Sequence, residues 1–169
     1  MSTILRVEVK KKIFSFVLAL MVSLSVIPVS VRAEGTGTWD GTTQTAPKAV
    51  GGVYQIGTAE ELAWFAKKTQ GSTTHGISGK LTADIDLNGQ NWAGYEMGGT
   101  IPSLAGYSGT FDGDGHTISG FYYKNKAAIK TGRTTSMGLF GYVTGATVEN
   151  LTVDGQLVVD MQYQTAPMS

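Results

Sequence analysis

The chain contains no cysteine, so disulfide staples, thiolate metal centres and cysteine nucleophiles are all excluded. Only two histidines occur, His75 and His116, and neither stands in a His-Glu-x-x-His pattern, which removes the usual ligands of a zinc hydrolase. Serine nucleophile elbows, phosphate loops and dinucleotide fingerprints are missing as well. Proline is scarce, at 4 residues, and charged residues make up only 15%. Long apolar runs are confined to one place, residues 13–27 near the N-terminus.

That run reads as the core of an export signal. Lys10, Lys11 and Lys12 precede it, Pro28 breaks it, and Val31-Arg32-Ala33 offers a cleavage site, so residues 1–33 are expected to be a signal peptide. An uncleaved membrane anchor is the alternative, because residues 13–31 nearly span a bilayer if Pro28 is tolerated. Cleavage would remove Arg6, Lys10, Lys11, Lys12 and Arg32 but only Glu8. Of 13 basic and 13 acidic residues, 8 and 12 would then remain, a formal charge of −4. Such a surface argues against nucleic acid or an anionic membrane as partner, and no membrane insertion is expected after cleavage. An exported chain without disulfides must be held by burial and backbone ladders.

What is abundant is glycine, at 23 residues, together with threonine, a composition of short strands and tight turns. Residues 34–52 are expected to form a flexible Gly/Thr/Pro-rich leader, with Trp39 docking on the domain edge. Residues 53–56 alternate as a strand. One helix follows: Thr58 and Glu61 form a capping box, Leu62, Phe65, Ala66 and Thr69 make an apolar face, and Gly71 stands at the C-terminus. This helix is expected to cover the open end of a β core.

Residues 80–87 alternate, with Leu81, Ala83, Ile85 and Leu87 on one face, and Asn88-Gly89 turns the chain. Residues 90–108 form a longer connection anchored by Trp92, Tyr95, Met97, Ile101 and Leu104. In residues 109–121, Phe111, Ile118 and Phe121 point inward around an Asp112-Gly113-Asp114-Gly115 corner. A polar excursion is expected over 124–135, and the strand pattern resumes at 138–155 and again at Leu157-Val158-Val159. Ile85, Ile118 and Leu151 recur at intervals of 33 residues, a period within the range of stacked repeat architectures.

Several of these motifs, in this order, resemble the repeats of bacterial surface proteins with GLUG motifs. They are Thr58-Ala59-Glu60-Glu61-Leu62, Leu81-Thr82-Ala83-Asp84-Ile85-Asp86-Leu87, Gly109-Thr110-Phe111-Asp112-Gly113, Gly115-His116-Thr117-Ile118 and Gly138-Leu139-Phe140-Gly141 through Asn150-Leu151-Thr152-Val153. The resemblance covers roughly residues 53–155. It implies a mainly β fold, a right-handed parallel β-helix of a few short rungs with an N-terminal capping α-helix. Residues 53–169 are then a β-helix repeat domain, expected to be truncated at its C-terminus and to belong to a longer secreted or wall-attached polypeptide.

Candidate chemistry is sparse. Asp84-x-Asp86-x-Asn88-Gly89 matches the first half of an EF-hand loop, which makes Asp84, Asp86 and Asn88 the candidate ligands for Ca2+. The second half departs from that pattern, with Tyr95 in place of the bidentate Glu and Glu96 one position late. Solvent-facing aspartates on a strand are the competing reading. Asp112, Asp114 and Asp86 are candidates for an acid and base in a glycan-cleaving β-helix enzyme. Trp92, Tyr122 and Tyr123 are the candidate ligand-binding aromatics.

The expectation is an exported scaffold or adhesive module at the cell surface, secreted or wall-associated, without catalysis of its own. Its expected partner is an unidentified surface glycan or protein. The alternatives are a glycan-cleaving enzyme and the non-catalytic repeat region of a larger surface protease.

Overall fold

The computed structural model describes residues 38–100, 106–129 and 136–163, with backbone alone for 125–129 and 159–163. The signal-peptide reading of 1–33, the anchors Ile101 and Leu104, and the last residues of the chain lie outside them. The fold is mainly β with one helix among the described residues. No described helix is long and apolar enough to cross a membrane.

β1 (Lys48–Val50) and β2 (Val53–Ile56) form an antiparallel hairpin around Gly51-Gly52. Both glycines take positive φ, +58° and +84°, as a two-residue turn of this kind requires. Everything after it pairs in parallel. β2, β3 (Ser78–Leu81), β5 (Thr110–Asp112) and β7 (Thr147–Glu149) are neighbours in one five-stranded sheet that begins with β1. β4 (Ile85–Asp86), β6 (Thr117–Ile129) and β8 (Thr152–Tyr163) make a second sheet. From β3 onward the chain passes alternately from one sheet to the other, and each pass is one strand further across.

The expected single strand over 80–87 is therefore divided. Leu81, Ala83, Ile85 and Leu87 are all buried and Thr82, Asp84 and Asp86 are exposed, as the alternation implies, but β3 and β4 lie in different sheets. The chain bends around the core at 82–84. Inward residues alternate through the bend because both sheets face the same interior.

The 33-residue spacing from Ile85 to Ile118 is a true register pair. The next interval is 35, because Ile118 pairs with Val153 and not with Leu151. Leu151 is half-buried and packs against the core from the turn before the strand. A bulge between Ile118 and Phe121 lets Gly120 adopt φ +62°, where a Cβ would lie 2.4 Å from Asp86 Oδ1. The polar excursion expected from 124 does not begin there. β6 runs on to Ile129, paired residue for residue with β8.

The helix α1 (Ala59–Thr69) forms where expected, and Glu61 N–H donates to Thr58 Oγ1 at 3.3 Å. The return half of the capping box is displaced by one residue: the Glu61 carboxylate accepts from Gly57 N–H at 2.7 Å. Gly71 does not make a left-handed cap; Gln70 closes the helix in a right-handed conformation with its N–H on Lys67 and Lys68 carbonyls. The apolar face buries Leu62, Ala63, Phe65 and Ala66. Phe65 stacks at 5.8 Å from Phe111 and 6.3 Å from Tyr107, contributing about 2–3 kcal/mol by burial. Its seat depends on Gly79, where a Cβ would come within 2.8 Å of the ring.

Within residues 38–52, expected from their composition to be a flexible leader, β1 pairs with β2 and Trp39 docks in the core. Trp39 is fully buried, its Nε1 donating to Thr43 O at 3.0 Å, and its ring lies 5.5 Å from both Trp92 and Tyr95. Asp40 fixes this loop by accepting from Thr42 N–H, Thr43 N–H and the Thr43 hydroxyl. One large apolar ring with a place in the core outweighs the flexible residues around it.

Candidate functional site

The polar side chains of successive turns meet at one exposed corner. The Asp112–Gly115 turn stacks on the turn at 149–150, with Gly113 N–H on Glu149 O and Gly115 N–H on Asn150 O, both at 2.9 Å. Asp114 and Asn150 hold the left-handed conformation, φ +49° and +53°, that short polar residues tolerate best.

Asp112 Oδ1 accepts from the Asn150 side-chain amide at 3.0 Å and from Asp114 N–H at 2.9 Å. The Lys80 ammonium from β3 lies 3.0 Å from Asp114 Oδ1 and 3.8 Å from Asp112 Oδ2. The hydrogen bond from Asn150, then that from Asp114 N–H, with Lys80 adding less, holds the Asp112 carboxyl below its ordinary value. Lys80 is raised in turn, chiefly by its bond to Asp114. Beside them, Asp84 Oδ1 accepts from Thr117 N–H at 3.0 Å and lies 3.1 Å from His116 Nδ1.

This corner joins three passes of the chain: Lys80 and Asp84 from the first, Asp112, Asp114 and His116 from the second, Asn150 from the third. Its carboxylates are engaged by donors within the protein. Asp112 and Asp114 share Lys80, an arrangement suited to fixing register and poorly suited to a proton-donating acid beside a free base.

The calcium candidates have partners within the protein. Asp84 faces His116 and Thr117, whereas Asp86 Oδ1 accepts from Asn88 N–H at 2.8 Å, and Asn88 Nδ2 donates to Trp39 O at 3.3 Å. Among the described residues no group of three His, Asp or Glu side chains is placed to hold a metal ion. Asp86 is on β4 in the three-stranded sheet, whereas Lys80 and Asp112 pair in the five-stranded one.

Of the aromatic candidates, Trp92 and Tyr123 are fully buried and Tyr122 is half-buried. Trp92 packs between Trp39 and Tyr95. Tyr123 donates to Glu96 Oε1 at 2.6 Å. Adjacent strand residues do point to opposite faces here, and it is Tyr122 that reaches the surface.

Glu96, named above only as falling one position late in a calcium-loop pattern, is a buried carboxylate. It is 1% exposed, and its carboxylate also accepts from Gly94 N–H at 3.1 and 3.0 Å. The Gly-Tyr-Glu-Met-Gly-Gly context gave one usable signal, a lone carboxylate between apolar anchors.

A search of protein families finds no model that matches this chain, and no solved structure matches it. Among curated proteins it is similar to Halomucin of Haloquadratum walsbyi, 27% identical over 125 residues. The alignment covers 69% of this chain and 1% of Halomucin. The chain thus spans about a hundredth of the length of the curated relative it matches.

Proposed function

We propose that this chain is a repeat module of an exported cell-surface protein, a right-handed parallel β-helix of the GLUG-motif type that serves as scaffold or adhesive surface and does no catalysis. The supporting observation is the register: Ile85, Ile118 and Val153 lie on three parallel neighbouring strands, so successive passes of the chain stack on one another. Each pass contributes inward residues to both sheets, and neighbouring passes complete the core between them. The similarity to Halomucin, a mucin by name, favours a surface location. So does the apolar segment at 13–27 behind three lysines.

The polar corner then serves the scaffold. Its carboxylates are engaged by Lys80, Asn150 and His116 across the stack, which aligns one pass with the next. Tyr122 and the exposed side chains around it are the part left for contact with a glycan or protein.

The test is to present the purified chain to cell-wall polysaccharide and to soluble oligosaccharides, measuring adsorption and reducing-end release together. Adsorption that weakens on Tyr122→Ala, with no sugar released, agrees with the proposal. Release of sugar that is abolished by Asp112→Asn or Asp114→Asn would replace it with the enzyme reading.

A further inference from the structure

Asparagine occurs four times in the sequence, and one of the four opens an Asn-x-Thr triplet with no proline in the middle, Asn150-Leu151-Thr152. Asn88 is followed by Gly-Gln, Asn91 by Trp-Ala and Asn125 by Lys-Ala. Such a triplet is the acceptor pattern for N-linked sugars on exported proteins.

The fold presents this triplet outward. Asn150 lies in the turn between β7 and β8 with φ +53°, and both Asn150 and Thr152 are exposed while Leu151 between them packs against the core. Leu151 anchors the middle, and the two residues that a glycosyltransferase reads stand clear. Exposure belongs to the corner itself and not to its place in the stack. In the preceding pass, on which the turn at 149–150 is stacked, Asp114 holds the same left-handed conformation at φ +49° and its side chain is still 50% exposed.

The Asn150 amide is also only half used. One of its two N–H groups donates to Asp112 Oδ1 at 3.0 Å, and the other has no partner among the described residues. Asn91, by contrast, closes both ends of its amide on the Lys124 backbone.

We propose that Asn150 carries an N-linked glycan, received from a lipid-linked oligosaccharide. The side-chain nitrogen attacks the anomeric carbon of the first sugar. The N–C bond forms as the C–O bond to the lipid phosphate breaks; one amide proton is lost, the lipid phosphate departs, and nothing is oxidised or reduced. The linkage consumes one amide hydrogen and leaves the other for Asp112, so the corner keeps its bond between passes. Rooted there, the glycan shields exposed turns, the part of a surface most open to proteases. The inference rests on the export reading of the proposed function, because lipid-linked donors are used on the far side of the membrane.

The test is made on chain recovered from the cells that produce it, with the surface and secreted fractions separated from the cytosol. Trypsin releases a peptide that begins after Arg133 and contains Asn150, and this peptide is weighed and fragmented. From exported chain it should exceed its sequence mass by a sum of sugar residues located on Asn150. Asn150→Gln and Thr152→Ala should each remove the whole increment, and Thr152→Ser should retain it. Thr152→Ala leaves the bond from Asn150 to Asp112 in place, so its loss of sugar reports recognition of the triplet and not damage to the corner.

An unmodified peptide from exported chain would overturn the proposal and leave the export reading standing. Sugar that survives Asn150→Gln, as a chain linked to a hydroxyl would, also overturns it. Chain found only in the cytosol, unmodified and with residues 1–33 attached, would overturn both.

Discussion

Ile118 and Asp114 lie four residues apart and carry opposite expectations. Ile118 is fully buried on the central strand of the second sheet, so Ile118→Asp puts a carboxylate where no donor awaits it and should unfold the domain, a loss of more than about 4 kcal/mol. Asp114→Asn keeps a residue tolerant of φ +49° and gives up only an exposed ion pair, so denaturant melts should show a loss below about 1 kcal/mol. Tyr107 offers the opposite sign. Its hydroxyl is buried without a hydrogen-bond partner among the described residues, and burial pushes the phenol well above its ordinary value. Tyr107→Phe should therefore stabilise the fold by on the order of 1 kcal/mol. A phenol raised in the folded state favours folding fully below pH 10 and loses that advantage as pH rises above it, so the parent should weaken at alkaline pH more steeply than Tyr107→Phe.

Acid acts through Asp112. A carboxyl lowered by folding adds stability above its ordinary value of 3.8 and surrenders it as pH falls below that value. Asn150→Ala removes the first of the donors that lower it, and an NMR titration of the Asp112 side chain should move back toward the ordinary value. At this scale the inward residues were legible: Phe111, Ile118, Phe121 and the four apolar residues of 81–87 all announced themselves by alternation. Glu96 and Tyr123 did not, because their burial depends on meeting each other across 27 residues of sequence.

Among the elements, α1 was readable from its cap and its apolar spacing, both of which are local. The partner of the Glu61 carboxylate was not, since geometry within the turn decides between Gly57 and Thr58. Thr58→Ala should cost about 1 kcal/mol in thermal or chemical unfolding, and Glu61→Ala a similar amount through the lost bond to Gly57. The bend between β3 and β4 was invisible to periodicity because burial alternates straight through it. The seat of Trp39 was hidden for a related reason: Trp92 and Tyr95, which form it, come 53 to 56 residues later.

At the scale of the whole molecule the governing fact is parallel stacking. Ile85 to Ile118 could be read as a period because that pass has no insertion relative to the next. The following pass is longer by two residues, so equal spacing pointed to Leu151 when the paired residue is Val153.

Nuclear Overhauser contacts between strand backbones test the stacking most directly. Parallel register predicts cross-strand amide and Hα contacts joining Ile85 to Ile118 and Ile118 to Val153, with none of the paired Hα contacts that mark antiparallel neighbours between residues 110–112 and 117–121. Antiparallel contacts between those two segments, without the Ile85–Ile118–Val153 series, would contradict it.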